Sequence, residues 1–106
     1  MRYAGQQNVQ SERRVMMSVI RFGEGHPAFS PTILIASPEQ QIDLVIENQT
    51  PALHNFSTVD GRIDQDVATG KSITLTVMFP KQGYLFFFCK YHLQDRQIGA
   101  LQSISS

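Results

Sequence analysis

Residues 86–99 read FFFCKYHLQDRQIG and contain the only cysteine of the chain, Cys89. His92 follows at C-x-x-H spacing, and Gln97 stands a few residues further on. A second histidine, His54, lies well upstream in PALHNFSTV, next to Asn55. Thiolate and imidazole are the soft and borderline donors that hold late transition metals, and an amide oxygen is a weak additional donor. Two imidazoles, one thiolate and a weak axial group form the ligand set of a mononuclear copper site that moves one electron. Cysteine, two histidines and an oxygen donor also suit tetrahedral Zn(II). Taken singly, each residue has a plain structural use: Cys89 as a small buried hydrophobe, His54 and Asn55 as turn residues, Gln97 as a solvated loop residue. The joint pattern carries the metal reading.

Such a set needs elements that bring distant residues together, and the chain reads as strands. Val15 to Phe22 is apolar and partly alternating, and Thr32 to Ala36 is short and β-rich. In IDLVIEN, Ile42, Leu44 and Ile46 fall on one face while Asp43 and Glu47 fall on the other, the period of a sheet with one wet face. Ser72 to Val77 alternates again. Gly83 to Cys89 is almost continuously apolar, as in a central strand, and Gly99 to Ile104 is the last candidate. On this strand Phe86 and Phe88 are expected to pack in the core along with Phe56. Asp60 to Ala68 is ambiguous between loop, short helix and irregular strand. Pro- and Gly-containing turns separate the runs, and no window sustains a helical period. The pattern predicts an all-β fold, a Greek-key two-sheet sandwich of about seven to eight strands.

The chain has 106 residues, enough for one domain. With 42% apolar and 17% charged residues it falls among folded domains rather than disordered chains. Lys plus Arg equals Asp plus Glu at nine each, which gives no electrostatic reason to expect nucleic acid as a partner. No apolar run of about 18 residues is present. Residues 1–14 are polar and lack a signal-peptide core, so they are expected to form an N-terminal tail ahead of a single domain over 15–106. A lone cysteine leaves no internal disulfide.

In two motifs the chain resembles the cupredoxins, the plastocyanin-like small blue copper proteins. One is the His-Asn pair opening a strand, His54-Asn55. The other is an aromatic strand ending in Phe87-Phe88-Cys89, then x-x-His92, four residues, Gln97, x and Gly99. The approach through Pro80-x-x-Gly83 matches as well. The resemblance covers about residues 30–104. It implies that His54, Cys89 and His92 are equatorial copper ligands and that Gln97 takes the axial place most of the family gives to methionine, as in stellacyanin-like members. It further implies that Asn55 ties the His54 segment to the Cys89 segment. An amide oxygen is harder than a thioether and should lower the potential. The proline common beside the loop histidine in relatives is missing, and Lys90, Asp95 and Arg96 make this loop more polar.

The function the resemblance implies is electron transfer through one copper ion cycling between Cu(II) and Cu(I), without catalysis. The alternatives are a cupredoxin domain of a larger copper oxidase or reductase, and a copper-binding or storage module. Implied partners are transient redox proteins such as a cytochrome, a membrane complex or a copper enzyme, met by a soluble monomer. Docking would use a small apolar rim around His92 that includes Leu93 and Ala52 or Leu53. The expected location is periplasmic or extracellular, with any targeting segment or anchor lying outside this chain.

Overall fold

The computed structural model describes residues 1–23 and 25–104. Ten strands are assigned among them: β1 (Gln6–Asn8), β2 (Arg14–Phe22), β3 (His26–Ser30), β4 (Ile33–Ala36), β5 (Gln41–Asn48), β6 (His54–Thr58), β7 (Asp64–Val67), β8 (Ser72–Met78), β9 (Tyr84–Phe88) and β10 (Ile98–Ser103). They form a six-stranded sheet in the order β1-β4-β10-β9-β6-β7 and a four-stranded sheet in the order β3-β2-β5-β8. The result is the Greek-key sandwich expected, with ten strands rather than seven or eight. No helix among the described residues is long and apolar enough to cross a membrane.

Alternation dictates which face each strand buries. In β5 the side chains of Ile42, Leu44 and Ile46 are buried while Asp43 and Glu47 are exposed, as the period of two requires. β8 repeats the pattern, with Ser72, Thr74 and Thr76 exposed opposite the more buried Ile73, Leu75 and Val77. Between the sheets these residues meet Val15, Met17, Val19, Leu34, Leu101 and an aromatic group of Phe29, Phe56 and Phe87. Phe87 lies edge-on to Phe29 at 5.1 Å and stacks on Phe56 at 4.7 Å. Each such ring contributes about 1.5–3 kcal/mol by leaving water.

Three features differ from the sequence reading. The segment expected as a tail is held in the sheet: β1 pairs in parallel with β4, and Val9 is fully buried in the core. Its three strand residues are all exposed, so backbone hydrogen bonds fix it and no hydrophobic pattern announces it. β3 includes Pro27, which suits it because β3 is an edge strand and a missing N–H costs nothing on the open side. β9 is turned opposite to expectation. Phe87 is buried in the core, whereas Phe86 is exposed and Phe88 half-buried on the outer face. With Cys89 facing inward, the period of two forces its i−2 neighbour inward and both adjacent phenylalanines outward.

Candidate metal centre

The cluster sits at one end of the sandwich, and four backbone positions carry it. His54 is the first residue of β6, a strand held by β7 on one side and β9 on the other. Cys89 follows β9 directly, and Gln97 precedes β10, the antiparallel neighbour of β9. The chain between them is closed by its own backbone bonds. The Cys89 N–H donates to the Gln97 carbonyl at 3.1 Å, and the His92 N–H donates back to the Cys89 carbonyl at 3.1 Å. A single 3₁₀ turn, Leu93–Asp95, continues from His92, and Arg96 ends it in the left-handed conformation at φ 59° with its N–H bonded to the Leu93 carbonyl. Gly99 then lets β10 pass β9 closely. A Cβ there would run into the Phe87 ring and the Thr32 carbonyl, so only glycine fits.

The side chains converge. One donor atom each from His54, Cys89 and His92 lie within 4.8 Å of one another. The Cys89 sulfur is 3.2 Å from Nδ1 of His92 and 3.8 Å from Nδ1 of His54. The two imidazoles stack with centroids 4.3 Å apart and planes 26° from parallel. Oε1 of Gln97 accepts a hydrogen bond from Nδ1 of His54 at 2.9 Å. His54, Cys89 and Gln97 are buried, and His92 is half-buried. Nε2 of Gln97 is fully buried with no hydrogen-bond partner among the described residues. An orphaned buried amide costs about 1–3 kcal/mol, which a purely structural glutamine would have little reason to incur. A thiol and two imidazoles gathered together, with a buried amide bonded to one of them, fit a soft or borderline metal ion; a glutamine solvated in a loop, the plain alternative, is not what is found.

Electrostatics sharpen the picture. Burial lowers the His54 pKa from its ordinary 6.5, the neighbouring His92 lowers it further, and the Gln97 bond opposes both. This imidazole is thus kept neutral, the form that binds metal. Burial pushes the Cys89 thiol up, and the backbone N–H groups of Tyr91, Asn55 and His92 pull it back. Dipoles that favour the thiolate are thus in place around a sulfur that burial alone would keep protonated.

The sequence matches the model of a family described as "Cupredoxin-like domain" over residues 5–101. The chain belongs to this cupredoxin-like domain family. No curated protein sequence matches it. Among solved structures, the cupredoxin-like domain is similar to dithionite-reduced auracyanin from Roseiflexus castenholzii, with a TM-score of 0.69 at 16% identity, covering 89% of this chain and 98% of that one. It is also similar to the metal-binding domain of the Streptococcus pneumoniae D39 Cu(I)-exporting P-type ATPase, with a TM-score of 0.72 at 9% identity, covering 93% and 97%. A third similar structure is a multicopper oxidase, mgLAC, with a TM-score of 0.64 at 16% identity; the match covers 88% of this chain and 39% of the oxidase. At these identities the likeness is one of fold.

In this cupredoxin-like domain Asn55 is buried and ties together the elements that carry the donors. Its Oδ1 accepts from the Lys90 N–H at 3.3 Å and from the Ser57 hydroxyl at 2.6 Å, and its Nδ2 donates to Asp64 and Asp66. The expected link from the His54 segment to the Cys89 segment is therefore present. The Tyr91 hydroxyl donates to the Asp66 carboxylate, a contact that gives this loop tyrosine a partner. Asp64 and Asp66 were not singled out by sequence. Their D-x-D spacing inside the ambiguous 60–68 segment was the available signal, because it places both on one face once the segment is a strand. His26, Met16 and Met78 are exposed and Met17 is in the core, none of them in the cluster.

Proposed function

We propose that His54, Cys89 and His92 hold one copper ion, with Gln97 as a weaker fourth donor, and that the protein is a carrier of single electrons. The observation that carries this reading is the convergence of a buried thiol and two imidazoles, one of them bonded to the buried Gln97 amide. When bound, copper supplies a one-electron Cu(II)/Cu(I) couple. The Cys89 thiolate is the soft donor that suits Cu(I), and the two imidazoles suit either state. Gln97 contributes a harder oxygen, which favours Cu(II). Two strands and a hydrogen-bonded loop fix these donors, so their positions need not change between states. Two structures of similar fold, a Cu(I)-bound exporter domain and a multicopper oxidase, support copper over zinc.

A carrier is favoured over an oxidase domain because only one further histidine, His26, exists to serve a catalytic copper. His92 is the donor nearest solvent. It borders a cleft of about 160 Å³ with Pro51, Ala52 and Asp95, and Leu53 and Leu93 beside the cluster residues are exposed. With zero net charge, a transient redox partner would dock here by short-range apolar contact, consistent with a monomer working in a periplasm or outside the cell.

Titration of the reduced metal-free protein with Cu(II), followed by visible absorption and EPR, tests the reading. One equivalent should produce an intense sulfur-to-copper charge-transfer band that one-electron reduction removes. Stoichiometric copper without that band would exclude Cys89 as a ligand and end the proposal; tight zinc binding in the same protein would then point to the other metal.

A further inference from the structure

The two residues between Cys89 and His92 are each held by a carboxylate from another strand. β7 pairs antiparallel with β6, with Asn55 opposite Asp66 and Ser57 opposite Asp64. Asp64 and Asp66 therefore project on the same outer face as Asn55 and Ser57. Two carboxylates two residues apart on an edge strand repel, and here every neighbouring donor is aimed at them. Nδ2 of Asn55 donates to Asp64 at 2.9 Å and to Asp66 at 3.0 Å, and the Ser57 hydroxyl, whose short bond is to Asn55, lies 3.2 Å from Asp64. Nζ of Lys90 pairs with Asp64 at 3.0 Å. The Tyr91 hydroxyl lies 2.9 Å from both oxygens of Asp66, and the Lys90 ammonium sits 5.4 Å from the Tyr91 ring centre.

We propose that Asp64 and Asp66 are positioning residues for the metal centre, gripping Lys90 and Tyr91 so that the sulfur of Cys89 and Nδ1 of His92 stay at their observed separation. The inference rests on the copper reading above and adds two residues that touch no metal donor. Lys90 and Tyr91 make up the whole C-x-x-H bridge, so whatever fixes their side chains fixes the angle between its two donors. Asn55 completes the grip by accepting the Lys90 N–H while donating to both carboxylates. The two negative charges add a second effect: they favour the more highly charged state of a bound metal. Both aspartates ionise more readily than usual, the largest cause in each case being the Asn55 bond, so both charges are present at neutral pH.

The two effects separate experimentally in the full chain. Asp66→Asn keeps an acceptor for Tyr91 and removes the charge, and Asp64→Asn does the same for Lys90. Tyr91→Phe keeps both charges and removes one grip. In the copper-loaded protein, each Asn variant should shift the balance of states toward Cu(I) by about threefold at low salt, and this shift should shrink as salt screens the charge. Tyr91→Phe should move the charge-transfer band and the EPR copper hyperfine splitting, independently of salt. In the metal-free protein it should speed amide exchange at Lys90 and His92 severalfold with little change in melting temperature. Variants that lower melting temperature yet keep wild-type band, EPR spectrum and potential would show a structural brace and overturn the proposal. A wild-type protein lacking the charge-transfer band would instead overturn the copper reading, and the positioning role with it.

Discussion

Oε1 of Gln97 and Nδ1 of His54 lie 2.9 Å apart, joined across 43 residues of chain. The imidazole nitrogen that faces the cysteine sulfur is thus the one that gives its proton to the amide. A metal that takes this nitrogen must displace that proton, and in doing so it frees the amide oxygen. On the copper reading proposed above, that freed oxygen would be the fourth donor.

Replacing Gln97 by methionine exchanges a hard oxygen for a soft thioether and removes the unpartnered Nε2. The Gln97→Met protein should favour Cu(I) by about tenfold or more, about 59 mV for a one-electron couple. Spectroelectrochemical titration of the two copper-loaded proteins measures it. Equal potentials would mean that Gln97 does not act on the metal.

Cys89→Ser places a hydroxyl in a site shaped for a thiol and removes the soft donor. The charge-transfer band should be absent, while the metal-free protein should lose only about 1–2 kcal/mol of stability. Urea unfolding read beside the absorption spectrum separates the two effects. A band that survives the substitution would show that it does not arise from Cys89.

Acid should weaken the metal-free protein through His54. Its native pKa is held below 6.5, chiefly by burial, so the unfolded chain takes up a proton that the native state refuses. Between the lowered native value and 6.5 the unfolded state binds more protons, and stability must rise with pH across that window. Urea midpoints measured from about pH 5 to about pH 8 should fall on the acid side, and His54→Gln should flatten the slope. An unchanged slope in that variant would remove His54 as its source.

Gly99→Ala should destabilise the fold by about 2–3 kcal/mol, because the new methyl group has to displace the Phe87 ring or the Thr32 carbonyl. Phe87 lies two residues before Cys89 and is packed against Phe29 and Phe56, so its movement should also disturb the metal centre. Differential scanning calorimetry checks the first effect and the EPR line shape of the copper-loaded variant the second. A stability equal to wild type would mean that β9 and β10 have slack at this crossing.

What the sequence revealed follows from what period and spacing encode. The alternation in β5 and β8 is burial written along the chain, so both strands and their faces were legible. The cluster was legible because three of its four members lie in one short segment with fixed offsets. β1 was hidden because its stability comes from backbone pairing with β4, to which its exposed Gln-Gln-Asn side chains contribute no pattern. β3 was hidden because Pro27 resembles punctuation until the strand is known to lie at an edge. Phe86, Phe87 and Phe88 are chemically alike, so hydrophobicity could not say which faces the core; the inward position of Cys89 decides it. Asp64 and Asp66 became meaningful only when the pairing of β6 with β7 set them opposite Ser57 and Asn55.

The bond from the Cys89 N–H to the Gln97 carbonyl gives segment 89–97 a property of its own. Both ends of this loop are pinned to each other and to adjacent strands, and it supplies every donor except His54. Apart from the ties of Lys90 and Tyr91 to β6 and β7 and of Asp95 and Arg96 to Arg2, its interior can therefore change in length or composition without reaching the sandwich, while β6 goes on presenting the same histidine. The fold separates a replaceable cassette from a permanent mount. Sequence drift in the cassette would retune the chemistry long before it threatened the architecture.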